Sequence, residues 1–317
     1  MLVRPRTPAD EPAVARLLTE TAARVEAADP RVRTARRMLP GGGALVAVDG
    51  AGAVRGHVRP VVRQLAADDE ARQYAPDRSV SWADAAGSAE AIAALAAALR
   101  QPGTAGAAAD SALWPSADEV GAAGWVAAGL EPVALYTLRP PEPLPAVPAP
   151  GVTVRPATAL DVHAVAALHR DAIAFQAEAS PYVRVAPAAE AGFRRRLADG
   201  STTTHVLEHA GELLGVAEWW LVTAGAATTG AEEGRAAMLP PGRYAYLNSV
   251  GIRAGARGRG LGRVLVSAVL RAAGPGLSGT TLWFAAHNPV ASRVWPHLGW
   301  HPLWTVWERR STHAGMS

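Results

Sequence analysis

The sequence predicts an α+β fold in which one αβα unit occurs twice, each unit a mixed, mostly antiparallel sheet sandwiched between helices. Three observations carry that expectation. The chain repeats itself faintly across a proline-rich segment. Within each repeat, helical and strand spacings of apolar residues alternate in the same order. And 317 residues, 49% hydrophobic and 19% charged, suffice for two globular domains of ordinary size.

Residues 139–151 read RPPEPLPAVPAPG, and so many prolines make a semi-rigid spacer. This sets the units at 1–139 and 151–317, with 140–150 as linker. At an offset of 151, Arg4-Pro5 falls on Arg155-Pro156, Asp10 on Asp161 and Val14 on Val165. Both copies read as a short strand and then a helix. Thr7 and Thr158 are caps, with Asp10 and Asp161 three residues on as capping-box partners, and Pro8 stands at the first helical position. Hairpins follow, with Gly56 on Gly215 at an offset of 159. Near the ends Trp125 falls on Trp295, Gly129 on Gly299 and Pro132 on Pro302, at an offset of 170. The growing offset gives the second copy extra residues near Ala174–Gly200 and in Thr223–Arg243. Each copy reads β-α-(α)-β-β-β-α-β-α-β.

Composition narrows the function. The net charge is only +3, and no basic run is interleaved with aromatics, so a nucleic-acid partner is not expected. No Cys is present, which excludes disulfides and thiolate chemistry and fits a reducing compartment. The acidic, proline-containing N-terminus is unlike a signal peptide, and no apolar run reaches the ~18 residues of a membrane span. A cytoplasmic location follows as an expectation. The His residues lack ligand spacing, so no metal is expected.

The chemically informative segment is YAYLNSVGIRAGARGRGLGRVLVSAVL, residues 244–270. Tyr244–Ile252 is strand-like, and Leu261, Val264, Leu265, Ala268 and Val269 form one apolar helix face. Between them lie Arg257, Gly258, Arg259, Gly260, Leu261 and Gly262. Glycines let backbone approach a ligand closely, and the first-turn amides of a helix lack internal partners and point outward at its positive end. With two arginines this suits a pyrophosphate. A nucleotide P-loop does not fit, because no Gly-Lys-Ser/Thr follows; a dinucleotide fingerprint does not fit, because Arg263 stands where Gly or Ala is required.

This segment resembles motif A of the GCN5-related N-acetyltransferase (GNAT) superfamily, and Asn288, Ala291, Trp295, Gly299 and Trp300 are similar to the motif that follows it. The resemblance spans residues 152–310 and, more faintly, 2–139, and implies two tandem GNAT-like domains. It implies that acetyl-CoA lies in a split between strands Tyr244–Ile252 and Thr280–Ala285. The backbone of Val250, Gly251 and Ile252 would hold the acetyl and pantetheine, residues 257–262 the pyrophosphate, and Asn288 the pantetheine arm. Asn288 followed by Pro289 is also a helix-capping pair. The implied activity is acetyl transfer from acetyl-CoA to a primary amine of a small molecule or peptide.

Two departures leave the catalytic groups open. Trp295 stands where the family commonly has a Tyr as general acid. Tyr246 stands where it often has a carboxylate, and could act only as a relay. Glu218, in an apolar strand, is the carboxylate candidate for general base; the alternative is an outward-facing strand residue. A non-catalytic acyl-CoA-binding or regulatory module is the competing reading. In the first copy, matching Leu99-Arg100 to Leu270-Arg271 sets Ala86, Ala89 and Ala91 against positions 257, 260 and 262, with Glu90 at the helix start, where a carboxylate repels a pyrophosphate. That copy reads as degenerate.

Overall fold

The computed structural model describes residues 1–32, 43–99, 109–145, 147–225 and 236–310. The first repeat runs β1 (Leu2–Pro5), α1 (Glu11–Ala28), β2 (Leu45–Val48), β3 (Val54–Gln64), β4 (Arg78–Gly87), α2 (Ala89–Ala98), β5 (Ala109–Pro115), α3 (Glu119–Ala127) and β6 (Glu131–Arg139). The second runs β7 (Val152–Pro156), α4 (Val162–Ala179), α5 (Pro187–Asp199), β8 (Thr203–His209), β9 (Glu212–Ala224), β10 (Gly242–Ile252), α6 (Leu261–Ala272), β11 (Gly279–Ala285), α7 (Ala291–His297) and β12 (His301–Arg310).

Both copies enter their first helix by the same device. A 3-10 turn precedes α1 and α4, and the Thr7 and Thr158 amides donate to Asp10 and Asp161 at 2.8 and 2.7 Å. Arg4 and Arg155 fork onto those same carboxylates. The guanidinium bonds, joined by the threonine amides, hold both aspartates well below the usual carboxylate range.

Where the repeat predicts one sheet per copy, the chain forms a single sheet. Its order is β1-β2-β3-β4-β5-β12-β6-β11-β10-β9-β8-β7. The last strand of each copy is exchanged: β12 pairs with β5 of the first copy, and β6 pairs with β11 of the second. The exchanged strands also pair with each other, at the centre of the sheet. Neighbours are antiparallel except β4–β5 and β10–β11.

The second copy's half of the sheet buries both faces. Ala245, Leu247, Leu282 and Trp219 pack with Leu261, Leu265, Val266 and Val269 of α6. The other face carries Tyr244, Tyr246 and Val222, and packs with Val25 and Val32 from the first copy and with Ala236, Met238 and Leu239. Trp219 and Trp220 therefore point to opposite faces, as adjacent strand residues must. Of the long second-copy insertion, residues 226–235, including Glu232 and Glu233, lie outside the described residues. Its final turn is core between the copies, with the Trp304 indole donating to the Met238 carbonyl at 2.8 Å.

Each copy contains one split where its parallel strands part. β10 and β11 pair only from Tyr244–Gly279 to Leu247–Leu282; beyond that, β10 is held by β9 and β11 by β6. In the first copy β4 and β5 pair over Ser79–Ser81 alone. The sequence alignment of the two helix entrances needs correction. Gly56 pairs with Gly87 and Gly215 with Ile252, so Gly87 is the counterpart of Ile252. From Gly87 only Ser88 precedes α2, whereas Arg253–Gly260 precede α6. The first copy has not exchanged the loop's side chains for alanines; it lacks the loop, and Ala86 lies within β4, paired with His57.

Candidate functional site

The entrance to α6 is shaped by glycine. Gly258 and Gly260 have φ of +77° and +76°, a left-handed conformation costly for any residue with a Cβ. Gly260 is the N-cap, with no side chain capping the helix. Arg263 and Val264 are the first amides to bond back, both to the Gly260 carbonyl. Among the described residues, no backbone carbonyl or side chain accepts from the amides of Gly258, Arg259, Gly260, Leu261 or Gly262. Five adjacent donors at the positive end of a 12-residue amphipathic helix fit a diphosphate. The Leu261 side chain is core, so that residue offers only its amide. Arg259 is exposed, and Arg257 is fixed by a bond to the Ile252 carbonyl at 3.0 Å and by stacking on Phe175 at 4.0 Å.

Behind this loop the β10 edge from Asn248 to Ile252 has no strand partner on its β11 side. Val250, Gly251 and Ile252 thus lie along the split and are braced from behind by Ala217, Val216 and Gly215. Gly251 sits against α4 so closely that a Cβ there would meet Ala172 at 2.8 Å. The buried Ser249 hydroxyl has no partner among the described residues. An open strand edge, an unmatched buried hydroxyl and a nest of amides together fit an extended amide-bearing ligand ending in phosphates. Asn288 follows the end of β11, buried, and its side-chain oxygen accepts from the Val290 and Ala291 amides at 3.1 Å each. It caps α7, as the sequence suggests, with Gly299 at φ +91° closing the helix. Trp295 packs edge-on against Trp300 at 5.3 Å and offers no acidic proton.

Glu218 is not a solvated strand residue: its side chain is fully buried. Arg196 of α5 forks onto it at 2.8 and 3.2 Å, the Thr202 hydroxyl donates at 2.9 Å and the Asn248 amide at 2.5 Å. Arg196 also bonds Glu70 of the first copy. Burial pulls the Arg196 guanidinium down, but the two carboxylates outweigh it and hold it above its ordinary value. With four donors on its oxygens, Glu218 meets another proton only by releasing one of them. Tyr246 is buried with its ring 4.7 Å from Trp220. The structure therefore brings Glu218 and Tyr246 onto one stretch of sheet beside the split, on the face opposite α6. The Arg194–Arg196 run within α5 is the one sequence signal for Arg196, and nothing local points to Glu70, which lies 126 residues away.

The sheet registers set Trp82 of the first copy on Leu247 of the second, and Trp114 on Phe284, so the first copy carries indoles where the second has smaller apolar side chains. Trp125 of α3 packs on both indoles, at 5.4 and 5.5 Å, and all three are at most 3% exposed. The Ser88 hydroxyl accepts from the Ala91 amide at 3.2 Å, capping α2 from within.

Residues 169–300 match the model of the acetyltransferase (GNAT) family. That segment is similar to a GNAT-family domain. The fold extends the likeness to the whole chain. A GCN5-related N-acetyltransferase from Sphaerobacter thermophilus is 19% identical, with 98% of this chain and 95% of that one covered at a TM-score of 0.52. A tandem GNAT protein from the clavulanic acid biosynthesis pathway, determined without AcCoA, is 19% identical over 100% and 99% of the two chains at a TM-score of 0.44. A GCN5-related N-acetyltransferase from Kribbella flavida is 18% identical over 95% and 97% at 0.45. No curated protein matches significantly by sequence. The whole chain thus shares the fold of the Sphaerobacter thermophilus protein, with its two repeats on a common sheet. Among the described residues, no helix is long and apolar enough to cross a membrane.

Proposed function

We propose that this protein is an acetyl-CoA-dependent N-acetyltransferase whose second domain transfers the acetyl group directly to a primary amine. The observation that carries the reading is the pairing of five unsatisfied amides at Gly258–Gly262 with the open β10 edge at Val250–Ile252. On this reading the Gly258–Gly262 amides bind the diphosphate, Arg259 adds positive charge, and the β10 edge aligns the pantetheine amides. Acetyl-CoA supplies a thioester whose thiol, with a pKa near the ~8.5 of a Cys thiol, leaves as a thiolate at modest cost. That makes a general acid dispensable and accommodates Trp295. Holding amine and thioester in attack geometry supplies much of the rate. Glu218 fixes Arg196, Thr202 and Asn248 beside the split. Its part in deprotonating the amine requires release of the Thr202 or Asn248 donor, with Tyr246 alongside.

The test is release of free thiol from acetyl-CoA in the presence of an amine panel. Glu218→Gln separates the roles of that carboxylate. If it accepts the proton, turnover falls ~10²-fold or more at neutral pH and recovers as pH approaches the amine's pKa of about 10. A loss independent of pH returns Glu218 to a purely structural role. Retained acetyl-CoA affinity without thiol release from any amine favours a non-catalytic acyl-CoA-binding module.

A further inference from the structure

Glu218, the candidate base of the second copy, is reached from the first. The connection between β3 and β4 carries a 3-10 turn, Glu70–Gln73, that packs on α5. The Asp69 carboxylate caps that turn by accepting from the Ala71 amide at 2.8 Å. Its other end is tied to the second copy, where the Arg184 amide donates to the Gln73 carbonyl at 2.9 Å and the Arg184 guanidinium bonds Asp77. Between these anchors the Glu70 carboxylate occupies the space that Gly192 of α5 leaves by lacking a Cβ. There it accepts from Nη1 of Arg196, while Nε and Nη2 of the same guanidinium fork onto Glu218 at 2.8 and 3.2 Å. One cation thus bridges two carboxylates, one from each copy.

Burial decides what that bridge does. Glu218 is fully buried and the Arg196 side chain 19% exposed, whereas Glu70 is 33% exposed. Were Arg196 to meet Glu218 alone, a proton arriving on Glu218 would strand a guanidinium charge in a site shielded from water, which is costly. With Glu70 on its other nitrogen, Arg196 stays matched when Glu218 becomes neutral. The three side chains carry one net negative charge before proton uptake and none after it. Arg195 also bonds Glu70 at 3.0 Å, but it is 66% exposed and largely screened by solvent.

Resting on the proposed role of Glu218 as base, we propose that Glu70 is a positioning residue for acetyl transfer: it holds Arg196 from the first copy's side, so that Glu218 can take the proton of the acceptor ammonium. That proton leaves nitrogen for a Glu218 oxygen, and the freed lone pair forms the N–C bond as the C–S bond breaks. The departing thiolate takes a second proton from the same nitrogen, leaving an amide and a free thiol. The first copy then serves the reaction of the second although it lacks the amide-lined loop.

The experiment measures thiol release from acetyl-CoA with phenethylamine, spermidine, glucosamine and alanyl-alanine, in the full chain and in Glu70→Gln, Glu218→Gln and the double variant. Circular dichroism follows the fold. For the amine turned over fastest, Glu70→Gln should lower kcat ~10-fold at neutral pH, a share of the ~10²–10⁴ that a general base contributes, and leave the acetyl-CoA KM within ~2-fold. The loss should fade as pH approaches the amine's pKa, where deprotonation needs no base. In the Glu218→Gln background the exchange should change nothing, because its target is gone. His169, Tyr246, Tyr74 and Arg195 also lie near the cluster, and parent and variant share them, so the ratio of rates isolates residue 70. Arg195→Gln, which removes the exposed partner of Glu70, should stay within ~2-fold of the parent. A Glu70→Gln loss that is equal at all pH, that adds to Glu218→Gln, or that Arg195→Gln reproduces makes Glu70 a docking contact and overturns the inference. So does unchanged turnover, or a Glu70→Gln protein that does not fold. Thiol release that Glu218→Gln leaves intact overturns the role of Glu218 beneath it, and none from the parent overturns acetyl transfer itself.

Discussion

The two copies agree where the fold is made and differ where a ligand would sit. Both begin with a threonine cap, an aspartate and an arginine fork in matching geometry. Both split their sheet between parallel strands. Past that point they diverge. The second copy keeps eight residues between strand and helix, whereas the first has one residue there and carries the indoles of Trp82 and Trp114 where the second has Leu247 and Phe284. The absence of that loop removes a row of amide donors without disturbing the caps or strands. Fold and binding site depend on different residues, so one can change without the other.

The largest way to break this comparison is to remove one copy. Residues 151–317 expressed alone lose β6, the strand between β11 and β12. We expect aggregation or loss of cooperative unfolding, followed by circular dichroism, and rescue on co-expression with residues 1–145. A soluble 151–317 fragment with a cooperative melt contradicts the exchange.

A smaller contrast lies on the first helix. His169 in α4 is buried against Phe193, with ring centres 4.2 Å apart, and burial pulls its imidazole from the ordinary 6.5 down to about 4. The same place in the first copy is Leu18. A histidine held neutral in the fold binds a proton more readily when unfolded. Its contribution is therefore complete above pH 6.5 and is lost as pH falls from 6.5 towards 4, by about 3 kcal/mol. His169→Leu should flatten urea-unfolding stability across that window relative to the parent. Equal slopes in both proteins would show that the imidazole does not titrate as argued.

The smallest effect concerns the tryptophan shared by both copies. Trp125 is core, whereas Trp295 is only partly buried. Trp295→Tyr supplies a proton donor where one is missing. If the thiolate leaves unaided, turnover changes by less than ~10-fold. A gain of 100-fold or more would mean that the departing thiol does need an acid.

Much of the fold was legible because it is local. Threonine followed three residues later by aspartate marks a helix entrance, and the repeat made that mark visible twice. The glycine-rich helix start was legible for the same reason, since left-handed positions demand glycine wherever the chain leads. The strand exchange was not, because β6 and β12 carry the same pattern whichever copy they pair with. Nor was the setting of Glu218: whether a carboxylate on an apolar strand faces water or an arginine depends on α5 and on Glu70, both remote in sequence. The helix-entrance alignment failed by matching helix to helix, which hid a deletion that strand pairing reveals.

The central claim is that only the second copy binds acetyl-CoA, through the backbone at Gly258–Gly262. Isothermal titration of the full chain with acetyl-CoA tests it most directly. We expect one site per chain, and none detectable in Gly260→Glu, where a φ of +76° strains any side chain and the carboxylate opposes the phosphates. Two equivalent sites, or affinity unchanged in Gly260→Glu with the fold intact by circular dichroism, would contradict it.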